Sequence, residues 1–321
     1  MIIKQQKIIK DEQGLPNYMT AFYWTGSKDP AEAPPMFVVR GEVVDAILVS
    51  QFFNTNTNGI PCSLPFREPW TRISMDKAAE ACRKKGAGWH LLTNTEYAYL
   101  LKESRELGTE PHGNTAAGQD YDHQEEKGVT YDGYRTLTGL DPVTWSHDHT
   151  EGGVYGLKGN IWEMVRGLRL HHGTVEYIKD NDAAAAETDT GESSAAWQQA
   201  LAENGQPVRF SGGNGVKITT GDVKADWDGV HMREVELEGL DEVPQILFDL
   251  EILPPDWKER QDGIYVDSEL EEALPFRGSG FHSTSYGGAS AVFLGSPRSG
   301  VFTDIGFRSA LYLKYSKPTT E

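Results

Sequence analysis

The chain predicts an α+β fold in which two helices pack on antiparallel sheets. Helical spacing with clean start and stop signals occurs only after Ser74 and after Thr93. Elsewhere, short apolar runs are cut by Gly, Pro and Asn at strand-like intervals. The C-terminal segment 277–313 keeps two regular ends around a middle with no helical or strand period. A frame holding a chemically mixed stretch is how binding surfaces are commonly built.

Residues 1–60 read as an N-terminal β-rich segment. Ala21-Phe22-Tyr23-Trp24, Met36-Phe37-Val38-Val39 and residues 43–53 are separated by Gly26, Pro34-Pro35 and the Asn-rich turn 54–59. Ser74 then caps a helix with Met75, Ala78, Ala79 and Cys82 on one face and Gly86 as its stop. Thr93-Asn94-Thr95-Glu96 forms a capping box, followed by Tyr97, Leu100 and Leu101 and closed by Gly108. Residues 109–135 are polar and Gly-rich, a long loop with little core. A Gly turn at 156–159 leads into an apolar strand through Ile161, Trp162 and Val165. Trp162 reads as a core anchor with a satisfied indole N–H.

Residues 166–275 differ in character and read as an inserted lobe. An acidic, Ala-rich stretch at 180–192 precedes a helix candidate around 195–204 and strand-like runs at 208–210, 216–219 and 235–237. Gly212-Gly213-Asn214-Gly215 reads as a hairpin turn, because no helix follows to make a phosphate cradle. No internal repeat is visible. The domain reading is a segment at 1–60 and one domain at 61–321, carrying the insertion at about 166–275.

The 321 residues, with 38% hydrophobic and 10% aromatic content, suffice for a packed core. A net charge of −18 argues against nucleic acid and anionic membrane as partners. No apolar run reaches signal-peptide or membrane-span length. Cys62 and Cys82 read as reduced thiols. His147-Asp148-His149 and His171-His172 invite zinc, but no fourth ligand stands at recognisable spacing, so no metal is expected. Asp180-Asn181-Asp182 opens like a calcium loop, yet Ala185 and Gly191 stand where Gly and Glu are required, which leaves a solvated acidic loop. No nucleophile–base motif is present, and the expected cofactor is none.

From Gly278 to Phe307 there is no Lys, Glu, Gln, Met or Trp. Those five types form roughly a fifth of the chain, so the absence has a chance probability on the order of one in a thousand. Loop preference for Gly, Ser and Pro accounts for part of it, but Lys and Glu are ordinary loop residues. Randomised adenines in AAC or AAT codons give fifteen residue types that exclude these five. Gly280, Phe281, His282, Tyr286, Phe293, Gly295, Phe302 and Asp304 are all reachable that way.

Three sets of residues together resemble one family. Residues 70–100 follow the helix, Leu-Pro-Thr and Glu-aromatic pattern of the C-type lectin fold of the formylglycine-generating-enzyme subtype. Thr93 and Glu96 are in place and Leu92 stands for the usual Pro. Gly159-Asn160-Ile161-Trp162-Glu163 is similar to its Gly-Asn-Val-Trp-Glu. Arg277-Gly278-Ser279 and Gly306-Phe307-Arg308 are similar to its Arg-Gly-Gly-Ser and Gly-Phe-Arg. The matches lie in 60–165 and 275–313, roughly half the chain. The enzyme branch uses cysteines after Arg-Gly-Gly-Ser, and none lies between Arg277 and Arg308. The chain instead resembles the variable proteins of diversity-generating retroelements, of the major-tropism-determinant type, although a Trp is usual where Phe281 stands.

That resemblance implies a variable region at about 277–311 that binds a protein or glycan receptor on a host cell surface. The binding residues would be Gly280, Phe281, His282, Ser283, Ser285, Tyr286, Phe293, Gly295, Ser296, Pro297, Gly300, Phe302 and Asp304. Trp162, Arg277, Gly306, Phe307 and Arg308 would be framework, with an acidic or carbonyl partner for Arg308. It further implies a place on a phage tail or bacterial surface and no catalysis. Avidity on a virion would favour a trimer or a virion attachment partner, and a monomer is equally compatible. The alternatives are a sulfatase-modifying-type enzyme and a structural virion protein.

Overall fold

The computed structural model describes residues 1–314. It is α+β, mostly β, with α-helices at Met75–Arg83 (α1), Asn94–Leu107 (α2) and Gln245–Asp249 (α3) among the described residues. A five-stranded antiparallel sheet runs in the order Ile2–Lys10, Pro16–Trp24, Ala46–Ser50, Ser309–Leu313, Trp89–Leu91. The first and last stretches of the described chain thus share one sheet. Strand Ala46–Ser50 lies inside it and is buried throughout. Ile47 and Val49 face one apolar cluster and Ala46 and Leu48 another, the period-2 alternation of a strand with core on both faces.

Both helix starts follow the local chemistry. Thr93 Oγ1 accepts the Glu96 N–H at 3.1 Å and Glu96 Oε2 accepts the Thr93 N–H at 3.0 Å, which closes the capping box of α2. Gly108 ends α2 at φ +68°. Ser74 occupies the cap of α1 without a side-chain bond, and Met75, Ala78, Ala79 and Cys82 are buried. Asn181 is fully buried, so the solvated acidic loop expected at 180–182 is corrected. Its amide donates to Met36 O and Glu96 Oε1, and its carbonyl receives the Thr93 hydroxyl. His147, expected in a polar loop, is also buried, with Nε2 2.9 Å from Glu103 and Nδ1 accepting the Val154 N–H. Both cysteines are free and buried.

The second sheet is mixed and twelve-stranded. It joins the 166–275 region to the C-terminal segment: Leu168–His171 pairs with Glu272–Arg277, which pairs with Val292–Ser296. The largest apolar cluster contains Leu168, Phe210, Ile218, Ile252 and Trp257, and takes in Val292 and Leu294. The helix expected around 195–204 is instead strand Trp197–Gln199, paired with Thr174–Ile178. Tertiary contacts override the Ala-rich composition there: the Trp197 indole N–H donates to Gly191 O at 2.9 Å, and the Arg169 guanidinium lies 4.3 Å from its ring centre. Residues 212–215 do form a hairpin turn, between Arg209–Ser211 and Lys217–Thr219. No helix among the described residues is long and apolar enough to cross a membrane.

Candidate ligand-binding site

Two buried arginines hold the ends of the C-terminal segment. Arg277 ends strand Glu272–Arg277, with Glu163 opposite on one side and Val292 on the other. Its side chain is fully buried, donates from Nη2 to Glu251 O at 2.6 Å and lies 5.0 Å from the Tyr97 ring centre. Burial lowers its pKa. Gly278 follows at φ +84°, where a Cβ would come within 2.5 Å of Leu157 O, so this turn requires glycine. At the other end, Ile305–Gly306 pairs in parallel with Trp162–Met164. A Cβ on Gly306 would lie 2.4 Å from Ile161 Cδ1. Phe307 is fully buried, 5.5 Å from Trp70 ring to ring.

The partner of Arg308 is Glu163. The Arg308 Nε donates to Glu163 Oε1 at 2.5 Å, with the two residues 0% and 1% exposed. Arg308 also donates to Ser50 O at 3.2 Å and lies 4.7 Å from the Phe53 ring centre. Burial pushes the Glu163 carboxyl up from its ordinary value, and Arg308 pulls it back. Sequence reasoning identified Arg308 and Glu163 as separate elements. Their pairing across the fold carries no local signal.

Between these anchors the segment leans on the long polar loop. Phe281 donates its N–H to Asn160 O at 3.1 Å and accepts from Ala117 N at 2.8 Å; Thr284 N–H donates to Thr115 O at 2.9 Å. The loop at 109–135 is therefore the bed of the candidate site. The expectation of no strand period in the middle is corrected by strand Val292–Ser296. Val292 and Leu294 point into the core, so Phe293 and Gly295 point to the other face.

On that face the aromatic rings form a connected group. Trp162 lies 6.1 Å from Phe293 and 6.0 Å from Tyr265, both edge-on. Tyr265 reaches Phe293, Tyr286 and Trp227 at 6.0, 6.2 and 6.5 Å. Tyr286 stacks on His231 at 3.8 Å, and Phe276 joins Phe293 to Phe302. A smaller group joins Phe281 to His282 and Tyr134. Trp227 is 52% exposed and Phe302 37%. Trp162 is 9% exposed, and its indole N–H edge faces Gly280, where a Cβ would sit 3.4 Å from Nε1.

Of the expected binding residues, Phe281, Ser283, Ser285, Tyr286, Phe293, Gly295, Gly300 and Asp304 are half-buried, while His282, Pro297 and Phe302 are exposed. Gly280 and Ser296 are buried. Pro297 and Gly300 lie on a rim loop, clamped by Arg298 to Glu272 and Asp76. Trp227, His231 and Tyr265 come from the 166–275 region and were not expected. Only their position across the sheet from Phe293 and Tyr286 reveals them.

Beside Ser285, Gly287 and Gly288 opens a polar cleft of about 480 Å³, lined by Glu110, His112, His123, Lys158, Arg260 and Asp262. Asp262 accepts the Ser290 N–H at 3.1 Å and lies 3.8 Å from Arg260. Burial pushes its carboxyl up to about 6, against the pull of Arg260. Lys158 is paired with Asp120 at 2.9 Å. No protein-family model and no curated protein matches the chain.

Proposed function

We propose that the chain is a ligand-binding protein with a C-type lectin fold of the formylglycine-generating-enzyme subtype. Its segment 277–311 is a retroelement-diversified surface used by a phage to recognise a host receptor of protein or glycan nature. One observation carries this reading. The stretch lacking five residue types has its ends locked by buried Arg277 and Arg308, while Phe281, Tyr286, Phe293 and Phe302 join ring groups with an open side. Such a division lets residues on the face change while the fold is held elsewhere. Rigid rings supply contact area at low entropic cost, and Ser283, Ser285, His282 and Asp304 supply adaptable hydrogen bonds, as in antibody paratopes. Aromatic faces serve protein and sugar ligands alike, so either receptor class fits.

The polar cleft favours a second reading, a sulfatase-modifying-type enzyme, because it places the perturbed Asp262 beside the segment. The two cysteines count against it, since both are buried and neither lines the cleft. Turnover of a cysteine-containing peptide would support the enzyme. The diversification reading is tested in DNA. A near-repeat of the coding stretch for 277–308, differing at adenines and close to a reverse transcriptase gene, is expected downstream. Absence of both would remove it.

A further inference from the structure

The hairpin between Leu168–His171 and Thr174–Ile178 turns through two residues, His172 and Gly173. Both have positive φ, +46° and +74°. Two-residue turns of this kind match the twist of the flanking strands and favour Asn-Gly or Asp-Gly. Histidine stands at the first position, where Asn is favoured, and is one of the few non-glycine types enriched in this region.

Three side chains converge at this tip. One ligand atom from each of His171, His172 and Glu271 lies within 4.8 Å of the other two. Glu271 comes from the far end of the inserted lobe, and the backbone holds it there: the His172 N–H donates to Glu271 O at 3.0 Å. The two imidazole rings are 4.9 Å apart. Glu176 Oε1 lies 3.5 Å from His171 Nδ1. A carboxylate at that nitrogen orients a ligating imidazole and leaves Nε2 for the ion. Arg169 holds Glu176 from behind at 2.6 Å, which fixes the carboxylate.

We propose that His171, His172 and Glu271 form a binding site for a divalent first-row transition metal ion such as zinc or nickel. Two imidazoles and one carboxylate make a donor set that suits these metals and disfavours calcium and magnesium, which prefer oxygen ligands. The remaining coordination positions face solvent, since His172 and Glu271 are exposed. A bound ion cross-links the hairpin turn to the residue preceding strand Glu272–Arg277, and so braces the lobe beside the candidate face. The sequence expectation of no metal rested on ligand spacing, and the third donor here stands far along the chain.

The test uses untagged full-length protein stripped with EDTA. Zinc and nickel chlorides are titrated by calorimetry, and thermal unfolding is followed with and without each ion. The expected result is one ion per chain, a raised Tm, and no response to calcium or magnesium. His171→Ala and Glu271→Gln weaken binding at least about tenfold, the smallest loss typical even of groups that only orient a metal's ligands. His172→Asn separates the ligand from the fold, because Asn suits the turn. The apo variant is expected to be at least as stable as the parent and to lose the metal-induced rise in Tm. Metal binding that His172→Asn leaves unchanged, or no binding by the parent, overturns the proposal.

Discussion

Glu163→Gln isolates what holds the C-terminal segment in place. Arg308 is 0% exposed and its Nε bonds Glu163 at 2.5 Å, so the substitution leaves a buried guanidinium without a counter-charge. Ser50 O and the Phe53 ring remain as neutral partners. Breaking a buried pair from one side costs about 3–5 kcal/mol. The Gln carbonyl can still accept a hydrogen bond, which places the expected loss near ~3 kcal/mol. The unfolding entropy for the 321 residues is about 0.7 kcal/mol/K at ~2.1 cal/mol/K per residue, so Tm should fall by about 4–5 °C. Urea unfolding gives the free energy and calorimetry the Tm. Adding Arg308→Met should recover part of the loss, because it removes the stranded charge. A loss below about 1 kcal/mol would refute the reasoning, since it would mean that Glu163 already carries its proton and the ion pair is not formed.

Three further outcomes follow from the same division between frame and face. Phe281→Ser, Tyr286→Ser and Phe302→Ser should each cost under about 1 kcal/mol in urea unfolding, because these side chains are open to solvent on one side. The same changes should abolish attachment in a host-cell adsorption assay. Gly306→Ala forces a Cβ to within 2.4 Å of Ile161 Cδ1 and should lower stability by about 1–3 kcal/mol. Asp262 concerns pH. Its folded pKa of about 6 lies above the ordinary 3.8, so the native state binds its proton more tightly. Asp262 therefore opposes folding increasingly as pH rises from about 4 to 6, and fully above that range. Asp262→Asn should flatten this part of the stability–pH curve, with a gain on the order of 1–3 kcal/mol at pH 8. A curve parallel to that of the parent would contradict the assignment.

What could be read from the sequence was local. The capping box at Thr93 and Glu96, the stop at Gly108 and the buried stripe of α1 each depend on neighbours within a turn or two. The hairpin at Gly212–Gly215 was legible for the same reason. What failed was set by distant partners. Residues 197–199 became a strand because Trp197 found Gly191 and Arg169, which no helix propensity records. Three of the eight rings in the connected aromatic group, Trp227, His231 and Tyr265, are brought opposite Tyr286 and Phe293 only by the sheet order. Asn181 and His147 read as polar loop residues because burial of a polar side chain depends on partners that sequence spacing does not show.

The most direct measurement is a saturation substitution scan of residues 277–313, displayed on cells and sorted for protease resistance. Folding should survive most replacements at Phe281, His282, Ser283, Ser285, Tyr286, Pro297 and Phe302. It should fail at Arg277, Gly278, Gly306, Phe307 and Arg308, whose side chains are buried or whose backbones admit no Cβ. Equal intolerance across both groups would contradict a surface built to vary on a frame that cannot.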